Sequence, residues 1–221
     1  MAVHTTTLGA VRTAIRRRVD MVNDQRVTDT EFNEWIVGSL AELHGLLVTA
    51  DSEYLVNRTT LTLTGAESYS LPTDFYKSKL VESSFGNGRY KRIERLKMDE
   101  RDKLTDPFVW YPQLPMAGYP AGYDIVGPSI YFFPEAATGT VRIWYYPCAP
   151  QPSADGDSFD IVNGFDEYIV ADVALKVATK LGADVAPWLS IKGRLERRVQ
   201  ETGQERDMGG SWGVTILPRG R

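Results

Sequence analysis

The chain has 221 residues, 43% of them hydrophobic, and a net charge of -4, which is enough apolar content for one sizeable core or for a core domain with a smaller companion. The mildly acidic balance argues against a general nucleic-acid-binding domain, because such domains neutralise phosphates with a strongly basic surface. One cysteine and two histidines exclude an internal disulfide and a multi-histidine metal site.

Two amphipathic helices are predicted near the N-terminus, over residues 7–21 and from Thr28 to about Ala50. Thr28 and Glu31 have the spacing of a capping box, in which each side chain satisfies an exposed backbone donor at the start of a helix. The helical spacing rests on Leu8, Val11, Ile15 and Val19 in the first helix and on Phe32, Ile36, Leu40, Leu43 and Leu47 in the second.

The middle of the chain has the period of β-strands. Residues 54–63 and 69–71 predict one hairpin, and Pro72 then favours a strand end with 71–76 leaving the sheet. Residues 79–82 and 89–93 predict a second pair around Gly86-Asn87-Gly88, residues 94–104 a short charged helix, and residues 106–122 a loop rich in proline and glycine.

The segment 129–147 is predicted to form a central hairpin of two aromatic strands joined by residues 134–139. In its second strand Val141, Ile143 and Tyr145 alternate with Arg142, Trp144 and Tyr146, so the two sets occupy opposite faces. A solvated face would be polar, and the second set is not. We therefore expect another element or another protein to cover the face that carries Trp144 and Tyr146.

Two further helices are predicted after a polar linker over residues 147–160. The first has its cap at Asn163 and an acidic first turn of Asp166 and Glu167, runs to about Leu181, and is apolar nearly all round, as in a central core helix. Gly182 ends it, and Pro187 suits the first turn of the second. The buried edge of that second helix is Trp188, Ile191, Leu195 and Val199.

Candidate chemical sites in the sequence are weak. The glycines at 86–88 favour a hairpin turn over a phosphate loop, because Lys91 stands where a third glycine would be. Asp155, Asp157 and Asp160 suggest a calcium loop, but Phe159 and Asp160 occupy positions that need an oxygen ligand and a glycine. These acids predict a solvated linker, with weak cation binding as the minor alternative.

No catalytic residue is predicted. His4 and His44 have no evident nucleophile partner, and Cys148 is interpreted as a small buried residue. The run Arg16-Arg17-Arg18 favours a solvated helix face over a phosphate contact. Trp110, Tyr111 and Tyr119 fit either stacking on sugars or bases or a protein contact.

Several segments of the chain follow one another in a characteristic order. They are the first helix, Val27 to Glu31, Leu71 to Tyr76, Ile130 to Pro134 with Gly139 to Pro147, and Asp166 to Lys176. In this order they resemble the head-to-tail adaptor (connector) proteins of tailed bacteriophages. The similarity covers most of residues 7–201 and is weak across 84–128.

This resemblance implies an α+β fold, in which a helical bundle from the N-terminal residues 1–52 and the C-terminal residues 161–207 carries a β-rich antiparallel insertion over 53–160. It also implies a ring beneath the portal, with twelve copies as the expected number, that surrounds passing double-stranded DNA without sequence-specific binding. The extended tail 208–221 would dock on the portal, and the next tail or collar component would meet the β-rich side. The portal-contact candidates are Trp212, Val214, Ile216, Leu217, Arg219 and Arg221, and the interface candidates are Trp110, Tyr111, Trp144 and Tyr146.

The first hypothesis is therefore a non-enzymatic virion protein without a cofactor or metal. Without an apolar leader or a run of roughly 20 apolar residues, it is expected to be made in the host bacterial cytoplasm and to reside at the head-tail interface of the virion, with no membrane contact. The alternative is a tail-associated carbohydrate-binding or hydrolytic protein, motivated by the 11% aromatic content and by Trp110.

Overall fold

The computed structural model describes residues 5–22, 24–50, 53–84, 88–96, 119–160 and 165–205. The fold is α+β, with helices and largely antiparallel sheets, as predicted. The chain divides into two compact units. We call Met1–Tyr54 together with Ala149–Arg221 the helical unit, and Leu55–Cys148 the sheet unit.

The described part of the helical unit contains four α-helices, and all four were predicted. They are α1 (Leu8–Arg18), α2 (Asp29–Thr49), α3 (Asp166–Leu181) and α4 (Ala186–Glu205). Helix α3 packs against each of the other three, which explains why its sequence is apolar nearly all round. The predicted apolar stripes of α1 and α2 are buried, apart from Val19.

The ends of the helices follow their local chemistry. The Glu31 backbone N–H donates to Thr28 Oγ1 at 3.3 Å, and the Thr28 N–H donates to Glu31 Oε2 at 3.0 Å, so the predicted capping box is confirmed. Gly182 ends α3 with a φ of 66°, in the left-handed region that glycine adopts at little cost. Phe165 precedes α3 without a side-chain cap, and the predicted cap Asn163 lies outside the described residues.

A two-stranded sheet in the helical unit was not predicted. Strand β1 (Thr5–Thr7) pairs antiparallel with β10 (Ser158–Asp160), which lies in the segment interpreted as a polar linker. Three residues are too few to establish a period in the sequence. Residues 149–160 belong to the helical unit, whereas they were predicted to belong to the β-rich insertion 53–160.

The sheet unit contains two four-stranded sheets. One has the order β2-β9-β4-β5, and we call it the long-strand sheet; the other has the order β3-β8-β7-β6. The strands are β2 (Asn57–Thr64), β3 (Tyr69–Ser70), β4 (Phe75–Ser84), β5 (Tyr90–Arg92), β6 (Glu94–Arg95), β7 (Gly122–Val126), β8 (Ser129–Phe133) and β9 (Thr138–Pro147).

The predicted central hairpin is wrong as a pairing, although both of its strands exist. Strand β9 pairs with β2 and β4, whereas β8 pairs with β3 and β7 in the other sheet. The predicted hairpin of 54–63 with 69–71 fails in the same way, because β2 and β3 lie in different sheets. A turn signal shows that the chain reverses, but it does not identify the strand that completes the ladder.

The two sheets share one apolar core, so the connection from β8 to β9 crosses between its layers. Val141, Ile143 and Tyr145 of β9 lie in this core together with Ile130 and Phe132 of β8. The prediction that these three β9 residues form the inner face is confirmed. Both sheets therefore contribute alternate side chains to a single buried layer.

Other strand predictions had mixed outcomes. Strands β4 and β5 pair antiparallel, with Glu82 opposite Arg92, as predicted for 79–82 with 89–93. Phe75 begins β4 instead of leaving the sheet. Residues 94 and 95 form β6, which pairs parallel with β7, so the predicted helix is wrong there. Residues 97–104 and most of the predicted loop 106–122 lie outside the described residues.

Candidate protein-interaction surface

The long-strand sheet carries a row of charged and aromatic side chains on the face opposite the core, which we call the outer face. The register places Arg58 beside Trp144 and places Arg142 between Thr60 and Glu82. Side chains opposite each other on neighbouring strands lie on the same face. The outer face is defined here by Arg58, Glu82, Tyr90, Arg142 and Trp144.

These side chains pair with one another across the strands. Trp144 Nε1 donates to Glu82 Oε2 at 2.8 Å. The Arg58 guanidinium lies 5.4 Å from the centre of the Trp144 ring, and that of Arg142 lies 3.5 Å from the centre of the Tyr90 ring. Such cation–π contacts hold long side chains flat against the sheet. The outer face is thus an ordered surface of arginines and aromatic rings, in which Arg58 is exposed and the other four residues are half-buried.

Tyr146 differs from Trp144, although both were predicted as interface residues. Trp144 is half-buried, whereas Tyr146 is only 1% exposed. The Lys79 ammonium lies 6.0 Å from the centre of the Tyr146 ring. Trp144 is therefore accessible to a partner, while Tyr146 is already covered within the chain.

The helical unit contains a buried ionic cluster, which joins α2, α3 and α4 and which we call the Asp172 cluster. Asp172 is 1% exposed. Its carboxylate accepts hydrogen bonds from Lys176 Nζ at 2.6 Å and from Lys192 Nζ at 2.7 Å, and its Oδ2 lies 2.5 Å from Ser39 Oγ. Glu42 completes the cluster, with its carboxylate 3.6 Å from Lys176 Nζ and 3.1 Å from Lys192 Nζ.

The charges of this cluster stabilise one another. Burial opposes ionisation of Asp172, but hydrogen bonds from Lys176, Lys192 and Ser39 outweigh it and hold the pKa of this carboxyl below its usual value. Burial likewise opposes the charge on Lys192, and the hydrogen bonds to Asp172 and Glu42 raise its pKa. Ser39 is fully buried, so no substrate can reach its hydroxyl. The cluster is a cross-link between helices, not a catalytic serine–lysine pair.

Asp155, Asp157 and Asp160, predicted to lie in a solvated linker with weak cation binding as the minor alternative, form hydrogen bonds within the protein. Arg12 makes a two-point contact with Asp155, with nitrogen–oxygen distances of 2.8 and 2.5 Å, which lowers the pKa of Asp155. The Asp157 carboxylate accepts from the backbone N–H groups of residues 153 and 154, and Asp160 accepts from the Tyr54 hydroxyl. These contacts connect the loop to Arg12 of α1 and to Tyr54, the last residue of the helical unit before the sheet unit begins.

Comparison with known families decides the identity of the chain. The family model described as SU10 adaptor protein matches residues 6–212. The chain belongs to the SU10 adaptor protein family. This is a family of bacteriophage head-tail adaptors, so the suspected adaptor resemblance is confirmed and a structural role in the phage is indicated. A search of curated proteins finds no match.

Within the described residues, no three or more histidine, cysteine, aspartate or glutamate side chains are grouped so that they could hold a metal ion. None of the helices in the described part of the chain is long and apolar enough to cross a membrane.

Several residues singled out from the sequence of this adaptor have other environments than expected. Cys148 is exposed, because it follows the last residue of β9 at the edge of the sheet unit. Arg16 is half-buried, and its guanidinium donates to the carbonyls of Met21, Asp24 and Val27. Arg17 and Arg18 are exposed, as predicted for the run. Outside the described residues lie Trp110, Tyr111 and all six portal-contact candidates, Trp212, Val214, Ile216, Leu217, Arg219 and Arg221.

The Asp172 cluster was missed by sequence reasoning. Asp172 and Lys176 lie four residues apart, a spacing that on its own describes a surface pair on a helix. The available signal was their position in a helix predicted to be buried on several sides, where an ionised side chain requires a partner. That partner, Lys192, comes from a different helix, so the spacing of residues within α3 could not reveal this ion pair.

Proposed function

We propose that the chain assembles into a ring, with twelve copies as the expected number, that joins the portal of a tailed bacteriophage capsid to its tail and surrounds the DNA channel. Family membership over residues 6–212 is the observation that carries this proposal. The proposed location is the head-tail interface of the virion, after synthesis in the host bacterial cytoplasm. The role needs no cofactor, and double-stranded DNA passes without sequence-specific binding.

The proposed architecture is a helical bundle that carries the sheet unit as an insertion. Two observations support it. The sheet unit is one continuous stretch of chain, Leu55–Cys148, and the helical unit is formed by what precedes and follows it. Helix α3, from the second half of the chain, packs against α1 and α2 from the first. In this proposal the insertion supplies a second surface for assembly without interrupting the packing of the helices.

The outer face of the long-strand sheet is the proposed contact for the next tail or collar component. Its side chains are held in place by one another through the Trp144–Glu82 hydrogen bond and the Arg142–Tyr90 contact. Tryptophan, tyrosine and arginine are the residues enriched at the energetic centres of protein interfaces. Ordering them before binding reduces the entropy lost when the partner docks. Among the predicted interface residues, Trp144 therefore has the central place in this contact.

The tail 208–221 is the proposed contact with the portal, through the six candidate residues named above. The support is compositional: Val214, Ile216 and Leu217 form an apolar run between glycines, and burying that run against a partner removes it from water.

Electron microscopy tests the proposal directly. The full-length protein is imaged alone and with purified portal, beside a truncation that ends at Met208. Rings on the portal are expected for the full chain, and reduced portal attachment is expected for the truncated one. Absence of rings and of portal-bound density would contradict the adaptor ring. Unchanged attachment of the truncated chain would contradict the docking role of the tail alone.

The carbohydrate-binding or hydrolytic alternative stays a prediction. It depends on Trp110, which lies outside the described residues. Loss of sugar binding in a Trp110→Ala variant would support that alternative.

A further inference from the structure

Strand β2 forms a long edge of the sheet unit. Among the described residues it is hydrogen-bonded to a neighbouring strand on one side only, to β9. It has eight residues, Asn57–Thr64, which pair with β9 in one continuous register. The other outermost strands of the two sheets are short: β5 has three residues, and β3 and β6 have two each. A long, regular edge is where a further strand can be added to a sheet.

The sequence of β2 has few of the features that protect an edge. It contains no proline and only one charged residue, Arg58, near its start. Its pairing with β9 has no bulge, and the side chains of Thr60 and Thr62 are exposed. Prolines, several charges and bulges are the devices that keep another strand away from an edge. Strand β2 is therefore open to strand addition over most of its length.

The alternation of the ladder decides which backbone groups of β2 face away from β9. In an antiparallel pair, alternate residues direct their N–H and C=O groups to the partner strand, and the residues between them direct these groups to the other side. The Thr64 N–H donates to the Tyr69 hydroxyl at 2.7 Å, so Thr64 belongs to the second set. The same set contains Arg58, Thr60 and Thr62, whose backbone groups therefore point to the open side of β2.

The neighbouring strands give the same assignment. The N–H of Ile93, which follows β5, donates to the Val81 carbonyl at 2.9 Å, so Val81 points away from β9 and the adjacent Glu82 points toward it. Glu82 stands opposite Arg142, so Arg142 directs its backbone groups toward β4 and away from β2. Thr60 stands opposite Arg142 on the other side and therefore faces outward. Three outward residues offer an added strand about six hydrogen bonds, one donor and one acceptor each.

The side chains of β2 indicate the chemistry of the strand that fits beside it. Leu61 is half-buried and packs against the core of the sheet unit, so an apolar side chain opposite it would extend that core. Arg58 is exposed on the outer face. An acidic side chain opposite Arg58 is attracted to it, whereas a basic one is repelled. The fitting strand therefore alternates apolar and polar residues and carries an acid near one end.

The described residues of a second copy do not supply such a strand. The outermost strands β1, β3, β5, β6 and β10 have two or three residues each, so each would leave most of β2 uncovered. Pairing of β2 with the β2 of another copy would close about a twofold axis, and such a contact does not continue round a ring. The strand therefore comes from a different protein. The edge shares Arg58 with the outer face, which is the proposed contact for the next tail or collar component.

We propose that the next tail or collar component inserts an extended segment beside β2 as a fifth strand of the long-strand sheet, with an acidic side chain at Arg58 and an apolar one at Leu61. This inference rests on the proposed adaptor function and deepens it by naming how the tail component is held. Backbone hydrogen bonds supply the affinity of such a contact, and the alternating side chains supply its specificity. The edge of the sheet and its outer face then form one interface.

Proline at an outward position blocks the added strand without breaking the ladder to β9. Thr60→Pro removes an N–H that faces away from β9, so the fold is retained, and circular dichroism checks this. Thr60→Val keeps the N–H and is the matched control. Rings of each full-length variant are assembled on purified portal, and their Kd for the purified next tail or collar component is measured by biolayer interferometry. Thr60→Pro should raise this Kd roughly 10-fold or more, and Thr60→Val should bind like the wild type.

Hydrogen exchange detects the added strand without any substitution. Amide exchange of the wild-type ring on portal is measured at single residues by mass spectrometry, before and after the tail component is added. The amides of Arg58, Thr60 and Thr62 should exchange roughly 10-fold more slowly in the complex, because they become hydrogen-bonded. The amide of Leu61, which already faces β9, is the internal reference and should change little.

Charge reversal at Arg58 tests the acid assigned to the partner. Arg58→Glu should raise the Kd for the tail component roughly 3- to 10-fold at low salt and less at high salt. Lys91→Glu makes the same charge change at an exposed residue of β5, the opposite edge of the sheet. It is the matched control and should leave the Kd unchanged. Equal effects of the two reversals would overturn the acidic residue at Arg58.

The outcomes separate strand addition from the adaptor function. Binding of the tail component with no slowing at the three outward amides, and with equal Kd for Thr60→Pro and Thr60→Val, would overturn strand addition and leave the adaptor proposal intact. Slowing of these amides when the ring forms, before the tail component is added, would assign the strand to a neighbouring copy and would also overturn the inference. Failure of the wild type to bind portal and tail component would overturn the adaptor function and the strand contact together.

Discussion

Replacing Asp172 by asparagine removes the negative charge on which Ser39, Lys176 and Lys192 converge. The substitution keeps the shape of the side chain and leaves two ammonium groups beside a neutral amide. Removing one partner of a buried ion pair costs roughly 3–5 kcal/mol of unfolding free energy. The Lys176 and Lys192 side chains are 28% and 20% exposed, so both ammoniums can turn partly toward water. We therefore expect a loss of about 3 kcal/mol, at the lower end of that range.

Urea unfolding followed by far-ultraviolet circular dichroism measures this loss, since the four helices dominate that signal. Such a loss is a large fraction of the roughly 5–15 kcal/mol that stabilises a typical domain. Glu167→Gln, on the exposed face of the same helix, is the matched control and should change stability by less than about 0.5 kcal/mol. Adding Lys192→Met to Asp172→Asn should recover part of the loss, because it removes an uncompensated charge. A loss below about 1 kcal/mol in Asp172→Asn would refute the assignment of the cluster as a stabilising cross-link.

Acidification probes the same carboxyl. Its pKa in the folded protein lies below the ordinary value, so as the pH falls the unfolded chain binds this proton first. The stabilisation from Asp172 is complete above about pH 4, near the pKa of this carboxyl in the unfolded chain. It is lost as the pH falls through the lower pKa of the same carboxyl in the folded protein. The unfolding free energy of the wild type should therefore fall more steeply below about pH 4 than that of Asp172→Asn. Parallel pH profiles would contradict this origin of the acid sensitivity.

Four further substitutions test local features by the same urea assay. Thr28→Ala removes the capping box of α2 and should cost about 1 kcal/mol; an unchanged midpoint would mean that the cap contributes nothing. Ser83→Ala removes a buried hydroxyl without a hydrogen-bond partner among the described residues and should leave stability unchanged or raise it by about 1 kcal/mol, so a clear loss would reveal a partner. Gly122→Ala places a methyl group against the Leu96 side chain, closer than van der Waals contact allows, and should cost roughly 1–3 kcal/mol. Gly45→Ala, with open space around it, should stabilise α2 by up to about 1 kcal/mol, and equal effects of the two glycine variants would contradict the crowding at Gly122.

The helices were predictable because their information is local. The capping box at Thr28 and Glu31, the apolar stripe of α2 and the glycine after α3 all act within a few residues of chain. Strand positions were also readable, and the inner face of β9 followed from simple alternation. Strand partners were not, because β8 and β9 are separated by only a few residues yet belong to different sheets, a choice made by the packing of the whole sheet unit.

The candidate surfaces could be predicted only in part, because local alternation is visible in the sequence whereas contacts between distant residues are not. Alternation along β9 identified Trp144 as an outward residue, but its partner Glu82 is 62 positions away in sequence. Tyr146, on the same face, is buried, which alternation cannot indicate. Likewise, the partners Arg12 of Asp155 and Lys192 of Asp172 come from other elements, so spacing alone indicated neither contact.

The register between β2 and β9 has a consequence for how such a chain can be rearranged. Asn57, next to the start of the sheet unit, stands opposite Tyr145, next to its end, and residues paired across antiparallel strands lie only about 5 Å apart. A short glycine linker could therefore replace the whole of 55–148 and still join the two halves of the helical unit. Recombination that exchanges this segment between phages needs compatible ends only at that one point. The sheet unit, with the tail contact proposed for it, could thus be replaced as a cassette while the helices stay constant.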